Sequence, residues 1–395
     1  MTMGETSLLL FIQSLLIYLS VAFLVFIIEL HAYNREKQLL SGIHKKFLPF
    51  YCWENIVSVI LIGLLFGLRY NTGEDYAMYL REFTSLQNTG RFVRKDFEPL
   101  FYAITWFFVK TGMHYSFYFA FWGAIQVIMI FIGLNSRKHL LPWIMILLVL
   151  GPFAYTWYGF MRQWTIACLG VAAFPLLSKR KFILYLVFVL LATLIHKSAF
   201  LLLFFIFVPF IKIEKSETKL LISIFIIATI LGLWPIWFKL FKYCSFIFDW
   251  FGYEKYQYLL IKLYNGEFVF KHWGPIHIVT FLSEILMIYY YPQIRKKYSN
   301  DVLLPLFFTI AFIGVCYENL FMNTMFFMIR PCVYNYIFVI ITLAYVFHYL
   351  KGSNSKKLLL FYVILSCSAV AIELLKGFFV LPGGLSKITY RFFFM

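Results

Sequence analysis

The sequence predicts an all-α membrane protein, a polytopic bundle of about 12 to 14 transmembrane helices. The chain is 62% hydrophobic and only 13% charged, whereas soluble domains carry about 25% charged residues. Its apolar stretches are long and unbroken rather than alternating, which favours helices over a β-barrel. Because lipid offers the backbone no hydrogen bonds, each stretch must pair its own peptide groups, as a helix does.

Roughly a dozen apolar runs are long enough to cross a bilayer. The predicted spans are residues 8–30, 51–69, 115–134, 140–157, 160–177, 182–196, 198–212, 219–239, 274–291, 302–319, 331–350 and 358–377. The first run has no basic leader and is too long for the apolar part of a signal peptide, so we interpret it as a span. No repeat or low-complexity linker divides the sequence, and we treat residues 1–395 as a single integral membrane domain.

Basic loops give the spans a direction, because cytoplasmic loops carry an excess of Lys and Arg. The basic clusters are Arg35–Lys46, Arg137–Lys138, Lys179–Lys181, Lys212–Lys219, Arg295–Lys297 and Lys351–Lys357. From Arg137 onward these clusters alternate with the predicted spans. The resulting topology puts both termini and two long loops, residues 70–96 and 242–273, on the outer face.

Residues 97–111 disturb this alternation. If this apolar stretch crossed the membrane, the basic loops on either side of it would lie on opposite faces. The stretch is short and begins at Glu98–Pro99, so we predict a re-entrant or interfacial segment on the outer face. The alternative is that it crosses and that one of the other predicted spans does not.

The formal net charge is +17, and part of it falls on the predicted outer side. Arg69, Arg162, Lys197 and Arg330 each lie at the end of an apolar helix, where a charge is costly unless it faces a cavity or a partner. Guanidinium groups bind phosphate and diphosphate well. The alternative is that these side chains extend to lipid headgroups or pair with nearby carboxylates.

Further polar residues occur at the same predicted outer ends. They are Glu74, Asp75, Tyr76 and Tyr79, then Glu98, then Gln163, then His196 and Ser198, and finally Tyr334. A carboxylate or the histidine can take a proton from a sugar hydroxyl, and arginines can stabilise a departing diphosphate. The alternatives are that His196 is satisfied within a helical hairpin and that Asp75 only caps a helix. Because the sequence has no P-loop, dinucleotide-binding glycine motif or HExxH motif, we expect no cofactor and no metal.

These residues also occur in a familiar order. The sequence Arg69-x-x-x-Gly73-x-Asp75-Tyr76-x-x-Tyr79, followed by Phe97-Glu98-Pro99, Arg162-Gln163 and His196-x-Ser198, resembles the EpsG-type branch of the Wzy polysaccharide polymerases. Those bacterial inner-membrane proteins build O-antigen, capsule or exopolysaccharide. The resemblance implies a metal-independent transfer of a growing undecaprenyl-diphosphate-linked glycan onto a new lipid-linked repeat unit at the outer leaflet.

The resemblance also implies roles for individual residues. It implies Arg162 and His196 as the first candidates for catalytic residues, with Asp75 and Glu98 next; the base could be Asp75, Glu98 or His196. The expected substrate-binding residues are Arg69, Glu74, Tyr76, Tyr79, Gln163, Lys197, Ser198, Arg330 and Tyr334. The expected partners are the lipid-linked oligosaccharide, membrane lipids and a chain-length regulator protein, with no nucleic acid.

Three other functions compete with this interpretation. A flippase or secondary transporter would place its polar residues near the bilayer midplane, whereas here they lie at helix ends. An O-antigen ligase is expected to carry its histidine in a large outer loop, whereas His196 lies in a tight turn. A structural subunit would have no shared cavity behind Arg162 and His196.

Overall fold

The computed structural model describes residues 3–41, 47–94, 96–213, 216–233, 274–323, 329–353, 355–380 and 385–394. Within them lie α1 (Met3–Ser41), α2 (Trp53–Gly67), α3 (Tyr76–Thr89), α4 (Pro99–Lys110), α5 (Tyr115–Gly133), α6 (Leu141–Leu150), α7 (Ala154–Gly159), α8 (Met161–Ser178), α9 (Phe182–Thr193), a 3₁₀ helix (Lys197–Phe210), α10 (Thr218–Leu233), α11 (Pro275–Lys297), α12 (Leu304–Phe321), α13 (Val333–Lys351) and α14 (Lys356–Val380). The described residues form no β-strand, which confirms the all-α class.

The helices are those of a multi-pass membrane protein. Five of the described helices are long and apolar enough to cross a membrane, namely Ser7–Ser41, Tyr115–Gly133, Leu304–Phe321, Arg330–Lys351 and Lys356–Val380. Outward-facing side chains on α1 and α14 are large and apolar, such as Phe23 at 63% exposure and Ile364 at 60%. Lipid is the solvent that suits such faces. In contrast, α6, α8 and α13 are buried along almost their whole length and form the centre of the bundle.

Every predicted span overlaps a described helix, but two of them differ in form. The span 140–157 is not continuous, because α6 ends at Leu150 and α7 begins at Ala154. Gly151 there is extended, with φ −75° and ψ −178°, and the following Pro152 has no N–H to continue the helix. The span 198–212 is a 3₁₀ helix rather than an α-helix. The predicted outer loop 242–273 lies outside the described residues.

Three of the predicted basic connections lie close together, as the alternation predicts. Arg137 donates to the carboxylate of Asp301 at 2.8 and 2.5 Å, which joins the α5–α6 connection to the turn after Arg295–Lys297. Lys138 donates to the carbonyl of Pro49 at 3.3 Å, which adds the connection between α1 and α2 to the same end. These positive loops therefore lie at one end of the bundle. The predicted polar residues lie at the opposite ends of the helices.

Helix α4 covers most of the stretch that disturbed the alternation. Its 12 residues reach only about 18 Å, against about 30 Å of hydrocarbon. At its start, the amides of Leu100 and Phe101 donate to the carbonyl of Leu194. Just beyond its end, the ring of His114 lies 4.8 Å from that of Phe393, whose amide donates to the end of α2. These contacts support a helix that lies along one face instead of crossing.

A C-terminal segment, residues 385–394, packs against the turn that follows α2. Backbone hydrogen bonds run from Phe393 to Leu68 at 3.0 Å, from Tyr70 to Arg391 at 2.7 Å and from Gly73 to Lys387 at 2.7 Å. The amide of Tyr390 donates to Ser14 in the first part of α1 at 2.8 Å. The first part of α1 and the C-terminal segment therefore lie on the same face as the turn at residues 68–73.

Gly73 fits this turn because a side chain would not. Its φ is +104°, and a Cβ would lie 2.2 Å from the carbonyl oxygen of Tyr158, at the junction of α7 and α8. A backbone with this positive φ is strained for any residue that has a Cβ. The absence of a side chain lets the turn pack directly on the end of α7, which brings Asp75 toward Arg162 near the start of α8.

We expect Gly73→Ala to lower the free energy of unfolding by about 3 kcal/mol or more, because backbone strain and a backbone clash add. Gly90→Ala is the matched control: Gly90 also has positive φ, +70°, but nothing lies within 4 Å of the position that its Cβ would take. That change is expected to cost about 1 kcal/mol. Thermal unfolding in detergent measures both, and equal losses would contradict the close-contact argument.

Candidate active site

The carboxylate of Glu98 joins three of the predicted motifs. One oxygen, Oε1, accepts a hydrogen bond from Nδ1 of His196 at 2.9 Å and another from the backbone N–H of Lys197 at 2.8 Å. The other oxygen, Oε2, forms an ion pair with the guanidinium of Arg162. Only 8% of Glu98 is exposed. Residues distant in sequence therefore form one buried network.

Local structure explains how these side chains meet. Glu98 is the extended N-cap of α4, and Pro99 fixes the first turn of that helix. Arg162 is the second residue of α8, after a break in the helix at Phe160. His196 lies in the turn between α9 and the 3₁₀ helix, also with extended backbone. Each of these side chains lies at or next to the end of a helix, and all three meet at the carboxylate of Glu98.

Aromatic rings enclose the charge of Arg162. Its guanidinium carbon lies 4.7 Å from the ring centroid of Phe97 and 4.8 Å from that of Phe101. Its Nε donates to the hydroxyl of Tyr79 on α3 at 3.3 Å. Cation–π contacts of this kind strengthen when water is excluded. Arg162 is therefore held rigidly between α3, α4 and α8.

The network sets the charges of Glu98 and His196. Burial raises the pKa of Glu98, but the hydrogen bond from His196, the charge of Arg162 and the Lys197 amide together lower it to about 2. Burial lowers the pKa of His196 below its usual value, and the hydrogen bond to Glu98 opposes this only in part. The arrangement favours an ionised Glu98 beside a neutral His196.

The tautomer of His196 follows from this pairing. An ionised carboxylate can only accept, so Nδ1 must carry the proton and Nε2 must be the basic nitrogen. Among the described residues, nothing forms a hydrogen bond to Nε2. A carboxylate that fixes the tautomer of a histidine is the arrangement that prepares an imidazole for general-base work. Of the three candidate bases, Glu98 is the least suited, because its pKa is low and its oxygens are occupied.

Glu98 also lies where the sequence favours an ionised carboxylate, although the main physical cause differs. In sequence it directly precedes α4, whose dipole favours a negative charge at that end. In the structure, the hydrogen bond from His196 and the charge of Arg162 lower the pKa of Glu98 most, followed by the hydrogen bond from the amide of Lys197, the first residue of the 3₁₀ helix. These partners lie far along the chain, so the sequence alone does not identify them.

Asp75 lies directly before α3 and close to the arginines. Burial raises the pKa of Asp75, and the charges of Arg330, Arg162 and Arg94 lower it to a smaller extent. Its side chain makes no capping hydrogen bond to α3, and it has no hydrogen-bond partner among the described residues. The helix-cap alternative is therefore not supported, and Asp75 is a carboxylate within range of three guanidinium groups.

Other predicted residues line the surroundings of this network. Ser198 and Tyr334 share a hydrogen bond of 2.6 Å between their hydroxyls, and the Arg330 guanidinium lies 5.4 Å from the ring of Phe160, just before α8. Lys197 is exposed, and Gln163 is buried at 8% exposure. These contacts bring α13 and the 3₁₀ helix to the start of α8.

Glu74 has a partner that the sequence analysis missed. Its carboxylate accepts a hydrogen bond from the hydroxyl of Tyr155 at 2.9 Å. Tyr155 lies on α7, within a predicted span, where a tyrosine gives no signal of a polar contact. The break between α6 and α7 is what turns this side chain toward the turn at Glu74.

Arg69 and Tyr76 lie apart from the network, beneath the turn. Arg69 is 2% exposed, donates to the carbonyl of Tyr158 at 2.8 Å and lies 4.3 Å from the ring of Phe66. The hydroxyl of Tyr76 donates to the Arg69 carbonyl at 3.0 Å. These positions favour a structural role for both residues over the predicted contact with substrate.

The described residues contain no group of three or more His, Cys, Asp or Glu side chains that could hold a metal ion. The expectation that the reaction needs neither metal nor cofactor stays a prediction.

Comparison with known proteins gives one family. A family model described as the EpsG family matches residues 53–382. That range covers most of the chain and contains every predicted site residue, from Arg69 to Tyr334. Neither the curated proteins nor the solved structures give a match.

Proposed function

The chain belongs to the EpsG family, which is associated with polysaccharide polymerisation, and we propose that it is a metal-independent glycosyltransferase of this kind. Its substrates are a growing glycan on undecaprenyl diphosphate and a new lipid-linked repeat unit, which meet at the outer leaflet of the bacterial inner membrane. The observation that carries the proposal is the network of Glu98, Arg162 and His196. It pairs an oriented neutral base with a fixed cation.

The base acts on the acceptor sugar. Nε2 of His196 takes the proton from a hydroxyl at the non-reducing end of the new repeat unit. The hydroxyl oxygen then forms a bond to the anomeric carbon of the growing glycan, and the bond from that carbon to the diphosphate breaks. Glu98 holds the imidazole in the required tautomer and stabilises the imidazolium that forms.

The cations act on the leaving group. Undecaprenyl diphosphate gains negative charge as the bond breaks, and fixed positive groups stabilise that charge most in a site from which water is excluded. Arg162 is the second residue of α8, and the guanidinium of Arg330 lies 5.4 Å from the ring of Phe160, the residue before that helix. Phe160 makes no side-chain capping hydrogen bond, and the helix dipole favours an anion at this end.

The charge distribution supports the proposed outer location. The basic loops around Arg137 and Lys138 lie together with the α1–α2 connection and the turn at Asp301, and such loops mark the cytoplasmic side. The same proposal puts both termini outside, and it is supported by the hydrogen bond between Ser14 and Tyr390 and by the contacts of the C-terminal segment with the turn before Asp75. A chain-length regulator would bind from the same side.

One observation favours transport as a second candidate. Glu284 in α11 and Glu318 in α12 are carboxylates within apolar helices, and one oxygen of each has no hydrogen-bond partner among the described residues. The other oxygens accept from Asn319 at 2.8 Å and from Tyr336 at 3.0 Å. Ionisable groups at such positions are common in transporters.

A surface-polysaccharide profile separates the two functions. In a strain that lacks the chain, we expect surface glycan of single repeat units, because export continues while polymerisation stops. Loss of a lipid-linked repeat exporter would instead leave the repeat units inside. Accumulation inside would therefore contradict the polymerase and favour the transporter.

Asp75→Asn tests the site in the same strain. Because Asp75 makes no hydrogen bond to the described residues, we expect normal expression but at least about a tenfold loss of long chains, if this carboxylate contacts the substrate. Glu217→Gln is the control, since Glu217 is exposed before α10 at the opposite end. Full-length glycan from Asp75→Asn would remove Asp75 from the site.

A further inference from the structure

The loop between α3 and α4 carries a further arginine to the edge of the site. The buried carboxylate of Glu82, on α3, accepts hydrogen bonds from the backbone amides of Val93 at 2.8 Å and Arg94 at 3.3 Å. Only 1% of Glu82 is exposed. The backbone at Arg94 is therefore fixed to α3, and its side chain starts from a defined position.

The guanidinium of Arg94 lies against the ring that also contacts Arg162. The centroid of Phe97 is 5.2 Å from the guanidinium carbon of Arg94 and 4.7 Å from that of Arg162. Two like charges on one ring repel each other unless anions lie nearby. The charge of Arg94 also acts on Asp75, as do those of Arg162 and Arg330. The charges of three guanidinium groups thus act on a carboxylate to which the described residues form no hydrogen bond.

The partners of the two arginines differ in how firmly they are held. Arg162 pairs with Glu98, and both side chains are only 9% exposed. Arg94 pairs with Asp96 at 3.0 and 2.6 Å, but these side chains are 36% and 54% exposed. Exposed ion pairs contribute little to stability, whereas breaking a buried pair is costly. Arg94 is therefore the cation that can change its partner.

We propose that Arg94 is a diphosphate-binding residue of this site and that Asp96 competes with the substrate for it. Without substrate, Asp96 holds the guanidinium. When the lipid diphosphate binds, Arg94 moves from the carboxylate to the phosphate oxygens, which carry more charge and accept the same two-pronged contact. This inference rests on the proposed function, because it takes the diphosphate of that reaction as the ligand.

The competition gives variants with opposite effects. Arg94→Ala removes a cation from the binding site, so the dissociation constant should rise about tenfold. Asp96→Asn removes the competing charge, so the dissociation constant should fall about threefold. In the double variant, Asp96→Asn should have no effect of its own, because no arginine remains to be released. Because misfolding would weaken binding, it cannot explain the tighter binding that we expect of Asp96→Asn.

The measurement uses the full chain in lipid nanodiscs with farnesyl diphosphate as the probe and farnesol as the control for binding through the apolar tail. Arg91→Ala is the matched variant, because Arg91 is an exposed arginine of the same loop, and we expect its affinity to stay within about twofold of wild type. In a polymerisation assay, Arg94→Ala should raise KM more than it lowers kcat, since it removes a ground-state contact.

Each outcome decides the inference. If Arg94→Ala and Asp96→Asn both bind the probe with the dissociation constant of the wild type, the inference is wrong. The proposed function still stands if these variants make long chains. Equal effects of Asp96→Asn with and without Arg94 also overturn it, since they would show that Asp96 acts on something else. If the wild-type chain binds farnesyl diphosphate no better than farnesol, the inference about Arg94 is wrong. If the same preparation still makes long chains, the proposed polymerase function stands.

Discussion

His196→Asn is expected to stop chain elongation while the protein remains folded. The amide of Asn can donate to Glu98 from nearly the position of Nδ1, which donates at 2.9 Å in the wild type. It offers no basic nitrogen in place of Nε2. Because general-base catalysis contributes about 10²- to 10⁴-fold, we expect the rate of polymerisation to fall at least about a hundredfold.

Polymer length in proteoliposomes measures this effect, and thermal unfolding shows whether the fold persists. His196→Ala, which loses both the hydrogen bond and the base, should be equally inactive but less stable. Substantial elongation by His196→Asn would transfer the role of base to Asp75.

The pH dependence of the wild type tests the same residue independently. The base acts only when His196 is neutral, and its pKa lies below the usual value of about 6.5. Activity should therefore persist as the pH falls through 6.5 and decline only at lower pH. A decline centred above pH 6.5 would indicate that another group, or a charged His196, controls the rate.

Glu98→Ala is expected to produce a large loss of stability. The change leaves Arg162 enclosed by Phe97 and Phe101 without its anion. Removing one partner of a buried ion pair costs about 3 to 5 kcal/mol. The control is Asp96→Ala, which breaks an exposed pair and should cost less than about 1 kcal/mol. Denaturant unfolding in detergent compares them, and similar losses would mean that the Glu98 pair is not a buried one.

The same ion pair makes stability depend on pH in a defined direction. Folding lowers the pKa of Glu98 from 4.5 to about 2, so the native state favours the ionised form. Its contribution is present in full above the unfolded pKa and is lost as the pH falls from about 4.5 to about 2. Glu98→Gln should remove this part of the acid dependence and leave the rest.

The sequence predicts the helices well and the contacts between them less well. Apolar runs and basic loops identify the spans, because each signal is local and repeats along the chain. Arg69 and Arg162 look alike in sequence, since both lie at the end of an apolar run. They differ only in what surrounds them: a backbone carbonyl and aromatic rings for Arg69, and the carboxylate of Glu98 for Arg162.

Residues whose contacts depend on two distant segments of the chain could not be predicted, for the same reason. The role of Tyr155 depends on the break at Gly151 and on its reach to Glu74. The position of Arg94 depends on the hydrogen bonds from its loop to Glu82. Neither pairing has a fixed spacing or a periodic pattern, so a single sequence gives no signal for it.

The C-terminal segment has a consequence for how the protein is made. The turn that positions Asp75 donates hydrogen bonds to the carbonyl oxygens of Lys387, Thr389 and Arg391, which leave the ribosome after every described helix. The spans can enter the membrane one by one during synthesis, but this turn obtains its last partners only after residue 393 has emerged. A nascent chain arrested before that point would therefore have its described helices inserted and its site incomplete, so that activity begins only once this segment has docked.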